Sequence, residues 1–410
     1  MAVLTRLGSG AGWPKAAYLA SYPPRECGIA TFTRDLVTAV NHLNADAPGR
    51  IVAINDPARS YAYPPAVKWQ IERDDVESYE EAARLLNASS CEVVNIQHEY
   101  GLFGGSRGSH LFRFLDRIEK PVVLTMHTTL PNPESELRAV TRQIIERSAL
   151  TVVLAQTARD ILARDYGIDP HSVQFIPHGV PNVRFVPPDT AKRALGLEGR
   201  PVLATCGLMN PGKGIEYAIE AIAGLVDEFP NLAYLVVGET HPGVRAEMGE
   251  AYREQLEALV ARLGLQRHVI FKNRYLRYRE LVLHLLASDV YVVPYLDLNQ
   301  IVSGTLAYAL GCGRAVVSTP SAYAREVLAD GRGLLADARD AQSLQTRIGA
   351  MLRNPDYRTS LQRRAYGLGH EMIWPNVARA YLTAFAKVGT QIRRRPVYVE
   401  PQPSIQELLA

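Results

Sequence analysis

The chain has 410 residues, of which 47% are hydrophobic and 21% charged, and its 45 basic and 42 acidic side chains leave a formal net charge of +3. This length exceeds one ordinary core, so two domains are expected, and the charge balance excludes a general nucleic-acid binder, which needs a concentrated basic excess. No apolar run is long enough to span a bilayer and the N-terminal stretch lacks a signal-peptide core; the scattered Cys27, Cys91, Cys206 and Cys312 read as free thiols of a cytoplasmic protein without structural zinc.

In chain order, residues 1–14 have no periodicity and are expected to be a flexible lead-in. Ala16–Ala20 reads as a buried strand, followed by the loop Ser21–Ala30 and a helix with Phe32, Leu36 and Val40 on one face. Strand-like runs recur at residues 51–54, 93–96, 122–125, 151–154 and 173–176, with helical patterns between several of them. Such alternation predicts a parallel, doubly wound sheet covered on both faces.

Prolines and a glycine at residues 177–182 and 187–188 mark a linker. Alternation then restarts, with strands expected at 202–205, 233–237, 269–271, 290–293 and 315–317. The expected fold class is α/β, with two facing Rossmann-like domains of parallel sheet and a cleft between them. The first occupies residues 1–184 and the second 185–373. Residues 374–390 form a last amphipathic helix that begins at Trp374, and 391–410 an exposed tail. Arg393, Arg394 and Arg395 offer a contact to acidic lipid headgroups, against the plainer reading of a solvated end.

Open α/β sheets bind ligands beyond the carboxyl ends of their strands. The polar residues at those positions are Arg25 and Gly28, His98 and Glu99, and His127 in the first half. In the second half they are Asn210–Gly214, Gly238–His241, Asn273–Tyr275, Gln300–Thr305 and Tyr323–Glu326. Ser303-Gly304-Thr305 lies between a buried strand and a helix, where free N–H groups and a positive helix end suit a phosphate. Lys213, in Gly212-Lys213-Gly214, which reads as opening a helix after the strand at 202–205, would put a cation beside it. Gly-Lys-Gly is also an ordinary surface turn, and this one does not meet the Walker spacing. His127 would orient a sugar hydroxyl or donate to a leaving group, or be structural. His98-Glu99 is equally open. No His, Cys and carboxylate cluster has metal-ligand spacing.

Several motifs in register carry a family resemblance. Pro23–Phe32, Ile176-Pro177-His178-Gly179-Val180, Pro211–Gly214, Ala309–Val317 and Glu326–Gly331 resemble the retaining, GT-B-fold glycosyltransferase family 4, nearest to its bacterial mannosyltransferase-like branch. The resemblance covers about residues 15 to 388. It implies a nucleotide-sugar donor held by the second domain, a saccharide, glycolipid or small-molecule acceptor held by the first, and no cofactor or catalytic metal. By position, Lys213 would neutralise the donor diphosphate, Gly28 would let backbone approach it, and His127 would lie near the transferred sugar. Gly212, Ser303, Gly304 and Thr305 belong to the same donor side. The backbone near Asn273, Arg274 and Tyr275 would hold the base and Glu326 the nucleoside, with Arg25, His98 and Glu99 toward the acceptor. The last helix would cross back onto the first domain.

The chain departs from that family's pattern at Leu208, where an arginine is usual, and at Gln300 and Tyr308, where two glutamates are usual. Retaining transfer on one face asks mainly for stabilisation of the leaving diphosphate, so these changes leave the mechanism possible and alter recognition. The expected function is transfer of a hexose, mannose being one choice, in polysaccharide or glycolipid synthesis. The alternatives are a glycoside phosphorylase using phosphate or sugar 1-phosphate, and a non-catalytic sugar-nucleotide binder. Work on a lipid-linked acceptor would bring the protein to the inner membrane face. The oligomeric state is not encoded in these motifs.

Overall fold

A computed structural model describes residues 12–57 and 59–393, with side chains described to residue 389. Residues 1–11 of the expected lead-in, and residues 394–410 with two of the three clustered arginines, lie outside the described residues.

The first sheet has seven strands: β1 (Ala16–Ala20), β2 (Arg50–Asn55), β3 (Val67–Glu72), β4 (Val93–His98), β5 (Val122–Met126), β6 (Leu150–Val153) and β7 (Val173–Phe175). They pair in the order β3-β2-β1-β4-β5-β6-β7, and every pair is parallel. β1, β4 and β5 are buried along their whole length. That is why β1 and β5 are almost wholly apolar, while β4 buries Asn95, Gln97 and His98 beside Val93, Val94 and Ile96.

The second sheet contains β8 (Val202–Cys206), β9 (Ala233–Val237), β10 (Val269–Lys272), β11 (Val290–Val293), β12 (Ala315–Ser318) and β13 (Leu334–Leu335). Its order, β10-β9-β8-β11-β12-β13, is again wholly parallel. In each sheet the strand order reverses beside the first strand, between β1 and β4 and between β8 and β11. A reversal of this kind opens a crevice at the carboxyl ends of the two strands. Loops after β1, β4, β5, β8, β9 and β11 all reach one shared cleft. β3 and β13, absent from the sequence reading, are an edge strand with mostly polar or half-exposed residues and a two-residue strand.

The chain passes between the sheets twice, and the two passages touch. Val180 N donates to Met372 O at 2.9 Å and Trp374 N donates to Val180 O at 3.1 Å. A Cβ on Gly179 would lie 2.2 Å from the Trp374 ring, so the passage has room only for glycine. Beyond it, the helix Trp374–Arg393 lies against the first domain. Its Val377, Tyr381, Leu382 and Phe385 share a core with Tyr18, Phe32, Leu36 and Val40. Among the described residues no helix is long and apolar enough to cross a membrane.

Candidate functional site

The cleft between the sheets has a volume of about 750 Å³, within the range of small-molecule sites. Ser303 caps the helix Gly304–Gly311, its Oγ accepting from Leu306 N at 3.4 Å, so the free N–H groups of the first turn face this space. Gly304 is needed for packing, since a Cβ there would lie 3.0 Å from His178 Nε2.

Lys213 comes from the loop after β8. The Gly-Lys-Gly stretch is not the start of a helix, as the sequence suggested. Pro211–Lys213 is a single 3-10 turn, Gly214 has φ +59, and the helix begins at Ile215. A Cβ on Gly214 would lie 2.2 Å from Pro294 O, which is what requires glycine there. Lys213 Nζ rests 3.7 Å from the centroid of the Tyr295 ring. The Tyr295 hydroxyl is 3.2 Å from Thr305 Oγ1, so one buried tyrosine braces both the ammonium and the helix start. Among the described residues no carboxylate forms an ion pair with Lys213. A cation supported by an aromatic face and left without an anion, beside a helix N-terminus, is arranged to receive one.

On the opposite wall stand His127, His178 and Phe32, with both imidazoles edge-on to Phe32 at centroid distances of 4.8 and 5.0 Å. A hydrogen-bond chain fixes the proton of His127. Asn95 Nδ2 donates to Val123 O, so Asn95 Oδ1 accepts from Gln97 Nε2, and Gln97 Oε1 therefore accepts from His127 Nε2 at 2.7 Å. Burial, helped by His178 and His98, depresses the His127 pKa to about 3, so the ring is neutral at pH 7. Its Nδ1 is then a bare acceptor on the cleft side. With its one hydrogen given to Gln97, the neutral ring has none left to donate. His178 donates Nδ1–H to Gly179 O at 2.7 Å, and burial lowers its pKa to about 4.

Glu99 also faces the cleft. Burial pushes its carboxyl up, while Thr128 Oγ1 and Tyr100 N donate to it. Arg25 lines the same side but is partly neutralised by Asp56 at 2.6 Å. Gln300 and Tyr308 line the cleft as well. The Tyr308 hydroxyl turns across it to Asp35 Oδ2 at 2.6 Å, where burial and then that carboxylate hold the phenol well above its ordinary pKa.

The structure thus gathers Arg25, Gly28, Glu99, His127, Lys213, Tyr275, Gln300, Ser303, Gly304, Thr305 and Tyr308 around one space. Gly212, Asn273, Arg274, His98 and Glu326 are not among the residues lining it. His98 is buried, with neither ring nitrogen hydrogen-bonded. Arg274 pairs with Glu280 at 2.7 Å on the exterior, and Asn273 Nδ2 donates to Glu257 Oε1 at 3.5 Å. Glu326 accepts from Gln156 N, Thr157 N and Thr157 Oγ1, capping the helix Gln156–Tyr166 of the other domain. Tyr275 is shared between readings, since its hydroxyl also meets Thr31 Oγ1 at 2.8 Å across the cleft. The sequence reading gave no role to His178 or Arg34, although His178 stood in a quoted motif. Arg34 gave no signal, being one charged residue on an amphipathic helix. Among the described residues no group of three or more His, Cys, Asp or Glu is placed to hold a metal ion.

Two parallel Rossmann-like sheets with a shared cleft, and a last helix returning to the first domain, define a two-domain fold of the GT-B class. Sucrose-phosphate synthase from Thermosynechococcus elongatus has this fold with a TM-score of 0.74 at 19% identity, over 92% of this chain and 100% of that one. The Anabaena protein Alr3699/HepE, solved with UDP and glucose, matches with a TM-score of 0.71 at 14% identity, over 91% and 100%.

The chain belongs to the glycosyltransferase family 4 group: the family pattern described as glycosyl transferases group 1 matches residues 189–368, and that described as Glycosyltransferase Family 4 matches residues 37–184. A relative in Mycolicibacterium smegmatis is a GDP-mannose-dependent alpha-(1-6)-phosphatidylinositol monomannoside mannosyltransferase, 28% identical over 243 residues. That match takes in 57% of this chain and spans 58% of the relative's length.

Proposed function

We propose that the chain is a retaining glycosyltransferase that moves a hexose from a nucleotide-sugar donor to a saccharide, lipid-linked or small-molecule acceptor. The observation that carries this reading is Lys213, an ammonium without an ion-pair partner among the described residues, set beside the Ser303–Thr305 helix start inside an interdomain cleft. Charge that develops on a departing diphosphate would be met there by the ammonium and by N–H groups already aimed at it. Neutralisation by these groups needs no cofactor.

On the facing wall, His127 Nδ1 and Glu99 supply acceptors for sugar hydroxyls. Retention would require the acceptor hydroxyl to approach the face of the sugar that the diphosphate leaves. The mannosyltransferase relative supports mannose as the hexose and a lipid-linked acceptor as one candidate. The Glu326 carboxylate is engaged by the helix Gln156–Tyr166 of the other domain and does not line the cleft, which counts against its holding the nucleoside.

Thermal-shift measurements with UDP-, GDP- and ADP-sugars, sugar 1-phosphates and inorganic phosphate test the reading. Stabilisation by one nucleotide sugar, with turnover of that donor, is expected. A response confined to phosphate or sugar 1-phosphate would make the protein a phosphorylase instead, and donor binding without turnover a non-catalytic binder.

A further inference from the structure

A diphosphate has more negative charge than one ammonium offsets and more oxygen atoms than one helix start can satisfy. Among the described residues, Lys213 is the only lysine or arginine that the second domain contributes to the cleft lining, and Leu208 in the same loop is apolar. Another donor is therefore expected close to Lys213.

The loop after β9 brings one. His241 N donates to Met209 O and Met209 N donates to Glu239 O, both at 2.8 Å, which clamps this loop onto the loop that carries Lys213. His241 lines the cleft from its exposed rim. Its protonation is fixed by a backbone group. Gly243 N, the first N–H after Pro242, donates to His241 Nδ1 at 3.1 Å. A backbone amide can only donate, so Nδ1 carries the lone pair and the neutral ring carries its hydrogen on Nε2. Burial, and then the nearby Lys213 charge, lower the His241 pKa and favour this neutral form. Nε2–H has no protein acceptor among the described residues.

We propose that His241 is an anion-binding residue of the donor site, its Nε2–H donating to the diphosphate that Lys213 and the Ser303–Thr305 helix start hold. The assignment rests on the reading of this cleft as a donor site. It gives the loop after β9 a role in recognition that does not depend on the identity of the base or the sugar. Because the donor is a neutral ring locked in one tautomer, it adds directionality to the point charge of Lys213.

The test separates the donor role from the helix-capping role of the same ring. In His241→Asn the shorter side chain can still accept from Gly243 N, since Asn is a favoured capping residue, but the group that reaches the cleft is gone. Wild type, His241→Asn, His241→Ala and Lys213→Ala, each as the full chain, are titrated calorimetrically with UDP, GDP, ADP and inorganic pyrophosphate. For the probe that wild type binds most tightly, His241→Asn is expected to raise Kd about 10-fold or more, the loss of one hydrogen bond to a charged group, with no change in melting temperature. His241→Ala should weaken binding as much and also lower the melting temperature. Wild-type affinity in His241→Asn, together with loss of binding in Lys213→Ala, would remove His241 from the site and leave the donor-site reading standing. If wild type binds none of the four probes, the donor-site reading falls and the assignment of His241 falls with it.

Discussion

The Tyr308 hydroxyl donates a 2.6 Å hydrogen bond to Asp35 Oδ2, joining the helix Gly304–Gly311 of one domain to the helix Gly28–Leu43 of the other. Tyr308 is only 4% exposed, and Asp35 retains Arg34 as a second partner at 2.7 Å. Tyr308→Phe keeps the ring and removes the donor, so unfolding in urea should show a loss of about 1–3 kcal/mol, the scale for a hydrogen bond to a charged group. Tyr308→Glu restores the family residue but sets a carboxylate against Asp35, so it should cost more. A Glu variant as stable as wild type would show that this bond does not hold the domains together.

Replacement of Lys213 by Ala should reduce turnover by about 10²-fold or more, as removal of charge stabilisation at a leaving group does elsewhere. The melting temperature should hardly move, because Lys213 has no ion-pair partner to strand. Tyr295→Leu keeps the bulk but removes the aromatic face 3.7 Å from Nζ. It should give a smaller loss in kcat/KM. Unchanged kinetics in Lys213→Ala would place the anion elsewhere.

Glu26, on the loop after β1, faces the carboxylate of Glu239, on the loop after β9, and that neighbour, then burial, pushes its pKa up to about 7. A carboxyl raised in the folded state contributes its full stability below its ordinary value and loses that contribution as pH rises through about 7. Apposition of the two loops should therefore weaken on going from mildly acid to alkaline solution. The buried His127 and His178 titrate in the opposite sense below their ordinary value, so the readout is the difference between wild type and Glu26→Gln. Melting curves across this range should converge at low pH and separate as pH rises, with the amide variant the more stable. Parallel curves would mean that the Glu26 carboxyl is not raised by its neighbour.

Gly214 and Gly196 both have positive φ, +59 and +70, but only at Gly214 would an added Cβ meet backbone, 2.2 Å from Pro294 O. Gly196→Ala should cost about 1–2 kcal/mol, the left-handed backbone penalty alone. Gly214→Ala should cost clearly more and should also weaken diphosphate binding, since the displaced turn carries Lys213. Equal losses in denaturant unfolding would mean that the turn shifts freely.

The central strands were legible because β1, β4, β5, β8, β9, β11 and β12 are buried throughout and carry short runs of mainly apolar residues. β3 was not, since Lys68, Gln70 and Glu72 alternate with half-buried residues at a sheet edge. The cleft was legible from the rule that loops at strand ends bind ligands. What the sequence does not encode is the direction of a side chain at such an end. His98 and Glu99 are neighbours at the end of β4, yet one is sealed in the core and the other faces the cleft, as the alternation of successive side chains requires. Glu326 and Tyr308 sit in or beside the expected donor region by position, but their partners lie 170 and 273 residues away. No local pattern announces such a partner.

The return of the helix Trp374–Arg393 to the first domain also orders events during synthesis. Tyr18, Phe32, Leu36 and Val40 emerge from the ribosome before the second sheet, but the side chains that cover them, Tyr381, Leu382 and Phe385, are made only after it. The second sheet has all its strands by Leu335, before that helix exists. Nascent chains halted before residue 374 should therefore carry a finished second half and an unsealed first half, and that exposed face is where a chaperone would be expected to hold on.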